Sequence, residues 1–230
     1  NKDLEISQPL STQSVLLPDP AINYDWNNDN IDSTKSNLLV TSIEKPSKIF
    51  SFSSSRDLID STTPLVIGNT LYTLDATGAV FAYNFTSGDR IWSNSSIIKE
   101  ENNGILGFFG KRFIGGGLKY YDKKIFVTLG LSVVSCLDAK TGEVLWVANL
   151  SSPTRSIPSV FSNNNKPIVF VETIDNKTLA LDATNGEIIW SHFGIPNEVN
   201  ILTSPVLLIQ DDKVIAQHSN DELYGLDAKT

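Results

Sequence analysis

The sequence has no methionine, one cysteine, two histidines and no apolar run long enough to cross a bilayer, and each shortage excludes something. A lone Cys136 cannot form an internal disulfide, and a zinc site built on paired histidines is excluded because His192 and His218 follow separate strand-like runs without the spacing of ligands. Both histidines are therefore expected in loops or at the surface. A spanning helix needs roughly 20 consecutive apolar residues, and none of the apolar runs approaches that length. Positive charge is also scarce: 18 Lys and Arg against 26 Asp and Glu give a formal net charge of -8. Without a basic stripe, this balance argues against a nucleic-acid surface. The absence of methionine even at position 1 implies a processed or excised chain. Helical periodicity of 3.6 residues is missing throughout.

What is present is a repeated frame. In CLDAKTGEVLW, Cys136 to Trp146, an Asp is followed at four residues by Gly and at eight by Trp. Trp92, Trp146 and Trp190 each stand four residues after a glycine (Gly88, Gly142, Gly186) and ten after a small residue (Ala82, Cys136, Ala180). A fourth copy begins at Gly225, carries Asp227, and reaches Thr230 one residue before its glycine, so the chain is expected to be cut inside a repeat. The Asn or Asp (Asn84, Asp138, Asp182, Asp227) accepts from nearby backbone N–H groups and the Gly supplies positive φ, which makes the frame a hairpin turn. The runs on either side are β-rich. The Trp is expected to end the outer strand, cover the next hairpin and donate its indole N–H to a backbone carbonyl, with the small residue ten earlier leaving room for the ring. Cys136 fills that small-residue slot, so it reads as a buried small hydrophobe rather than a nucleophile.

Four strand-like runs recur in sets at about 61–93, 114–147, 156–191 and 202–230, the last lacking its final strand. Residues 1–60 read as a polar N-terminal arm with possible strands of an incomplete blade. Pro64, Pro158 and Pro205 fall at equivalent places inside the first strand of a set, as an unpaired N–H edge allows. Asp138 and Asp182 are 44 residues apart, and the longer spacing from Asn84 to Asp138 is taken up by an extended connection at 94–117 ending in the triplet Gly115, Gly116 and Gly117, which turns the chain into a strand. A period of about 44 residues with four short strands and one aromatic signature predicts an all-β fold, a β-propeller of four-stranded antiparallel blades. The run GILGFFGKR at 104–112 is not a phosphate loop, because Arg112 stands where a magnesium-binding hydroxyl is required and no helix follows.

The frame A-x-D-x-x-T-G-x-x-x-W is similar to the tryptophan-docking repeat of pyrroloquinoline-quinone (PQQ)-type propellers. The run GGGLKYYDKKIFVTLGLSVVSCLDAKTGEVLW, with NLSSPTRSIPSV and TIDNKTLALDATNGEIIWSHFGI after it, resembles the BamB family of outer-membrane assembly lipoproteins. Departures from the repeat are Asn84 for Asp, Ser87 for Thr and Asn185 for Thr. The resemblance implies a cofactor-free, eight-bladed scaffold in the periplasm that binds the barrel-inserting protein BamA through a propeller face. About half of such a ring is present here. Membrane contact would come only through a lipid on a cysteine preceding Asn1.

Two other readings share the fold. PQQ-dependent dehydrogenases hold their quinone with an adjacent-cysteine disulfide and a calcium ion bound by oxygen ligands; the lone Cys136 cannot form the first, and one Asp per blade does not converge on an ion. A luminal sensor domain that binds unfolded peptide is the second, for which the N-x-[ST] triplets at Asn84, Asn94, Asn149 and Asn176 would be glycan acceptors. In the scaffold reading, Arg155 on the connection NLSSPTRSIP is the expected partner contact, since arginine pairs carboxylates bidentately. The nine frame residues Ala82, Gly88, Trp92, Cys136, Gly142, Trp146, Ala180, Gly186 and Trp190 are expected to form docking contacts. No catalytic, cofactor or metal residues are expected.

Overall fold

The computed structural model describes residues 48–51, 62–75, 77–97, 116–154, 156–163, 166–195, 207–210, 212–218 and 222–229. They form fifteen strands in four antiparallel sheets, each a simple meander in which neighbours in sequence are neighbours in space. The first sheet holds β1 (Leu65–Ile67), β2 (Thr70–Leu74), β3 (Val80–Asn84) and β4 (Arg90–Asn94). The second holds β5 (Gly117–Tyr121), β6 (Lys124–Thr128), β7 (Val133–Asp138) and β8 (Val144–Asn149), and the third β9 (Ser159–Asn163), β10 (Lys166–Glu172), β11 (Lys177–Asp182) and β12 (Ile188–Phe193). Three strands make the fourth: β13 (Leu208–Gln210), β14 (Lys213–Gln217) and β15 (Leu223–Asp227). This is an all-β propeller-type architecture, and the four sheets do not close into a ring among the described residues.

The strands of the middle sheets are apolar on both sides because both sides are covered. On β6, Ile125 and Val127 face the first sheet, whereas Phe126 faces the third. On β10, Val169 and Val171 pack toward the second sheet, and Ile168 and Phe170 toward the fourth. Successive side chains point to opposite faces of a strand, so a run such as KIFVT or PIVFV needs no polar alternation when each face has a sheet against it. The core is therefore three apolar layers between four sheets.

Two expectations on placement need correction. Pro64 and Pro158 stand immediately before β1 and β9 rather than inside them, so neither interrupts a ladder; Pro205 lies outside the described residues. The tryptophans do not end their strands, since β4, β8 and β12 continue two or three residues past the ring. Just before each ring lies a β-bulge that the sequence reading missed. Ala82 faces Trp92 while Tyr83 faces Arg90, which leaves Ile91 as an extra residue. Leu145 and Ile189 are extra in the same way. A bulge bends its strand and re-aims the neighbouring side chain, and here that side chain is the Trp.

Candidate functional site

The frame turns are built alike. Asp138 Oδ1 accepts from the N–H groups of Lys140 and Thr141 at 2.8 Å, Asn84 Oδ1 does the same for Thr86 and Ser87, and Asp182 Oδ1 accepts from the N–H and hydroxyl of Thr184. The Gly142 N–H closes the turn on the Asp138 carbonyl at 2.8 Å. These donors hold the Asp138 carboxyl below the usual carboxylate range, the Thr141 N–H foremost. Gly142 has φ 74° and Gly186 φ 78°, a conformation that costs other residues about 1–2 kcal/mol.

The turn glycine is also the floor of a docking slot. A Cβ on Gly142 would lie 2.5 Å from Cε3 of Trp92, and one on Gly186 2.6 Å from Cε3 of Trp146, so each ring lies flat on the turn of the next sheet. Trp92 Nε1 donates to the Ala139 carbonyl and Trp146 Nε1 to the Ala183 carbonyl, both at 3.1 Å. Behind each ring sits its cross-strand partner, the fully buried Ala82, Cys136 or Ala180. Phe126 and Phe170 tilt against Trp146 and Trp190 at 5.9 and 5.6 Å between centroids. Trp146 is buried, whereas Trp92 and Trp190 are only partly so. Burial pushes the Cys136 thiol up to about 12, which leaves no thiolate at neutral pH.

A fourth docking aromatic went unseen in the sequence. Phe50 lies on Gly88, its Cγ 2.8 Å from where a Cβ would stand, in the position Trp92 takes on Gly142. Ile49-Phe50-Ser51 reads like Ile91-Trp92-Ser93 and Ile189-Trp190-Ser191, and this triplet was the signal. A phenyl ring fills the slot but has no N–H to donate.

The contact between third and fourth sheets differs. Trp190 Nε1 has no hydrogen-bond partner among the described residues. The residue equivalent to Ala139 and Ala183 is Ala228, which is fully buried. At the other end of the same contact, His218 follows β14 as expected but is buried, with 2% of its surface exposed, rather than at the surface; His192 lies within β12 rather than in a loop and is partly buried. The β14–β15 hairpin folds the His218 ring against Gly194, where any Cβ would overlap it. His218 Nε2 sits 3.4 Å from Glu172 Oε1 and 3.3 Å from Thr178 Oγ1. Tyr224 lies 4.7 and 4.8 Å from the two imidazoles, between centroids. Burial pushes the Glu172 carboxyl up to about 8 and, together with His192, pushes His218 down. Another buried group, Lys119 on β5, is lowered to about 8 by desolvation.

Of the four glycan triplets, Asn176 is buried and donates to the Ile195 carbonyl, Asn94 donates its amide to the Gly142 carbonyl of the next sheet, and Asn84 accepts with its side-chain oxygen from its own turn. Gly116 (φ 105°) and Gly117 turn the chain into β5, and a Cβ on Gly116 would overlap the Thr128 carbonyl. Arg155, Gly115 and Arg112 lie outside the described residues. Among the described residues, no three His, Cys, Asp or Glu side chains are placed to share a metal ion.

The chain matches, over residues 78–230, the family described as outer membrane protein assembly factor BamB. It is 29% identical over 200 residues to an uncharacterised protein of Rickettsia conorii, covering 86% of this chain and 43% of that one. A quinoprotein ethanol dehydrogenase of Pseudomonas putida is 32% identical over 126 residues, 47% of this chain and 20% of the enzyme. Among solved structures, BamB from Moraxella catarrhalis superposes with a TM-score of 0.51 at 15% identity, over 70% of this chain and 47% of that one, a likeness of fold. The chain thus spans less than half the length of these curated relatives.

Proposed function

The chain belongs to the family of the outer membrane protein assembly factor BamB, and from that premise we propose that it is a non-enzymatic scaffold of the periplasm, associated with the outer membrane, that binds the barrel-inserting protein BamA through a face of its propeller. The observation that carries this reading is how the frame residues are used. Asn84, Asp138 and Asp182 spend their side-chain oxygens on their own turns, and Trp92 and Trp146 spend their indoles on the next sheet, so the repeated polar groups hold the ring together rather than converge on a substrate. The buried, protonated Cys136 is no nucleophile. Binding then falls to the loops at the faces of the ring, with Arg155 as the proposed contact.

The similarity to a quinoprotein dehydrogenase supports a second reading, a PQQ-dependent enzyme of which this chain is part. One experiment separates the two. The chain and its Arg155→Ala variant are tested for retention on the immobilised periplasmic domains of BamA, and the chain is titrated with PQQ and calcium by absorbance. Retention at low salt without quinone binding is expected, with retention weakened in the variant. Stoichiometric quinone binding without retention overturns the scaffold reading, and equal retention of both proteins removes Arg155 alone.

A further inference from the structure

Among the described residues, four of the six buried side-chain atoms that lack a hydrogen-bond partner belong to one cluster: both carboxyl oxygens of Glu172, His192 Nε2 and His218 Nδ1. Polar atoms left unpaired in a protein interior are costly, and a concentration of them calls for a reason. The cluster spans the contact between the third and fourth sheets, so it joins elements that are otherwise held by the apolar faces of Phe170, Ala180, Val214 and Ala216.

We propose that this contact is a proton-operated joint, closed by a proton held between Glu172 and His218 and loosened when that proton leaves. β10 presents Glu172, β11 presents Thr178, β12 presents His192, and the β14–β15 hairpin and β15 present His218, Glu222 and Tyr224. The hydroxyls of Thr154 and Ser156 bond the main chain of Glu172 and leave its carboxyl alone. The nearby lysine, Lys177, is paired with Asp175 at 2.7 Å. Glu222 takes the Tyr224 hydroxyl. The imidazole at 3.4 Å is thus the partner of the Glu172 carboxyl among the described residues. With one proton between them both groups are neutral, the carboxyl hydroxyl facing Nε2. Without it, an anion is left in an apolar layer.

The direction with pH follows from linkage. A carboxyl raised from 4.5 to about 8 in the closed state binds its proton more tightly there, so closure is favoured at low pH and lost as pH rises toward 8. His218, lowered from 6.5, acts in the opposite sense, but only below 6.5. Between these values the carboxyl acts alone, and opening rises about tenfold per pH unit, or roughly thirtyfold across the window.

Hydrogen exchange by mass spectrometry reads this directly. In the full chain, peptides from 213–227 are compared with peptides from 124–138 at about pH 6.5 and about pH 8.5, after correction for intrinsic exchange. The opening of 213–227 should increase about thirtyfold while 124–138 stays constant, and Glu172→Gln should abolish the increase. Glu172→Leu, which also carries no proton, serves if the amide variant does not fold. A flat profile in the wild type, an equal increase in both segments, or an increase that persists without the carboxyl would each overturn the proposal.

Discussion

The contact between the second and third sheets and the contact between the third and fourth are made from the same frame, yet they solve the problem of burial differently. In the former, Trp146 is buried on Gly186 with its N–H on the Ala183 carbonyl, and Phe126, Val134, Val169 and Leu181 fill the layer around it. Its indole leaves no polar atom wanting. In the latter, Trp190 lies over an equivalent layer with its N–H unpaired among the described residues, and the Glu172 carboxyl and the His218 imidazole are buried at the far end beside the partly buried His192. Both aromatics lie over a layer of apolar side chains, and the two contacts differ in their polar atoms: the Trp146 N–H is accepted by the Ala183 carbonyl, whereas the Trp190 N–H has no acceptor among the described residues. The ring contributes area in both places, but the hydrogen bond is present at one of these two contacts and not at the other.

Removing the ring breaks the comparison most severely. Trp146→Ala should lose about 3–5 kcal/mol, as measured by urea unfolding, because it deletes a buried aromatic side chain and leaves a cavity. Trp190→Ala, from a partly exposed site, should lose less. A Trp146 loss equal to or below that of Trp190 would mean that the two contacts are equivalent. Next in size, Gly142→Ala forces a Cβ into the Trp92 ring at an unfavourable φ and should lose about 2–4 kcal/mol in the same assay. An unchanged midpoint would show that the floor has room to yield.

Much of this was legible because the frame carries its instructions locally. Asp138, Gly142 and Trp146 encode a turn, a floor and a lid within eight residues, so spacing alone gave the hairpins, the sheets and the small residues behind each ring. What escaped depended on chemistry outside that window. Phe50 fills a Trp slot, and a search keyed to tryptophan passes over it although Ile49 and Ser51 frame it as in the other copies. The bulges at Ile91, Leu145 and Ile189 are set by the register with the adjoining strand. His218 looked like a surface residue because its own neighbours are polar, and its burial comes from Gly194 and Glu172, which lie 24 and 46 positions earlier in the chain. Tertiary packing decided that residue, and local pattern had no access to it.

A smaller effect sharpens the picture at the wall of the slot. Cys136→Ala places in the second sheet the residue that Ala82 and Ala180 already supply in the first and third, so a loss of about 1 kcal/mol or less is expected, in line with a small volume change. Because burial keeps the thiol protonated, Cys136 should also stay unreactive toward a thiol reagent until the chain is unfolded. Rapid labelling of the folded chain would show that the second–third contact opens readily.

The most direct test of the indole hydrogen bond makes the same change at both contacts. Trp146→Phe and Trp190→Phe remove the same ring atoms, but the first also gives up a hydrogen bond and the second relieves a buried donor that has no acceptor among the described residues. Equilibrium unfolding should show Trp146→Phe losing about 1–2 kcal/mol more than Trp190→Phe. Equal losses in the two variants would contradict the account, because the ring alone would then be holding both contacts.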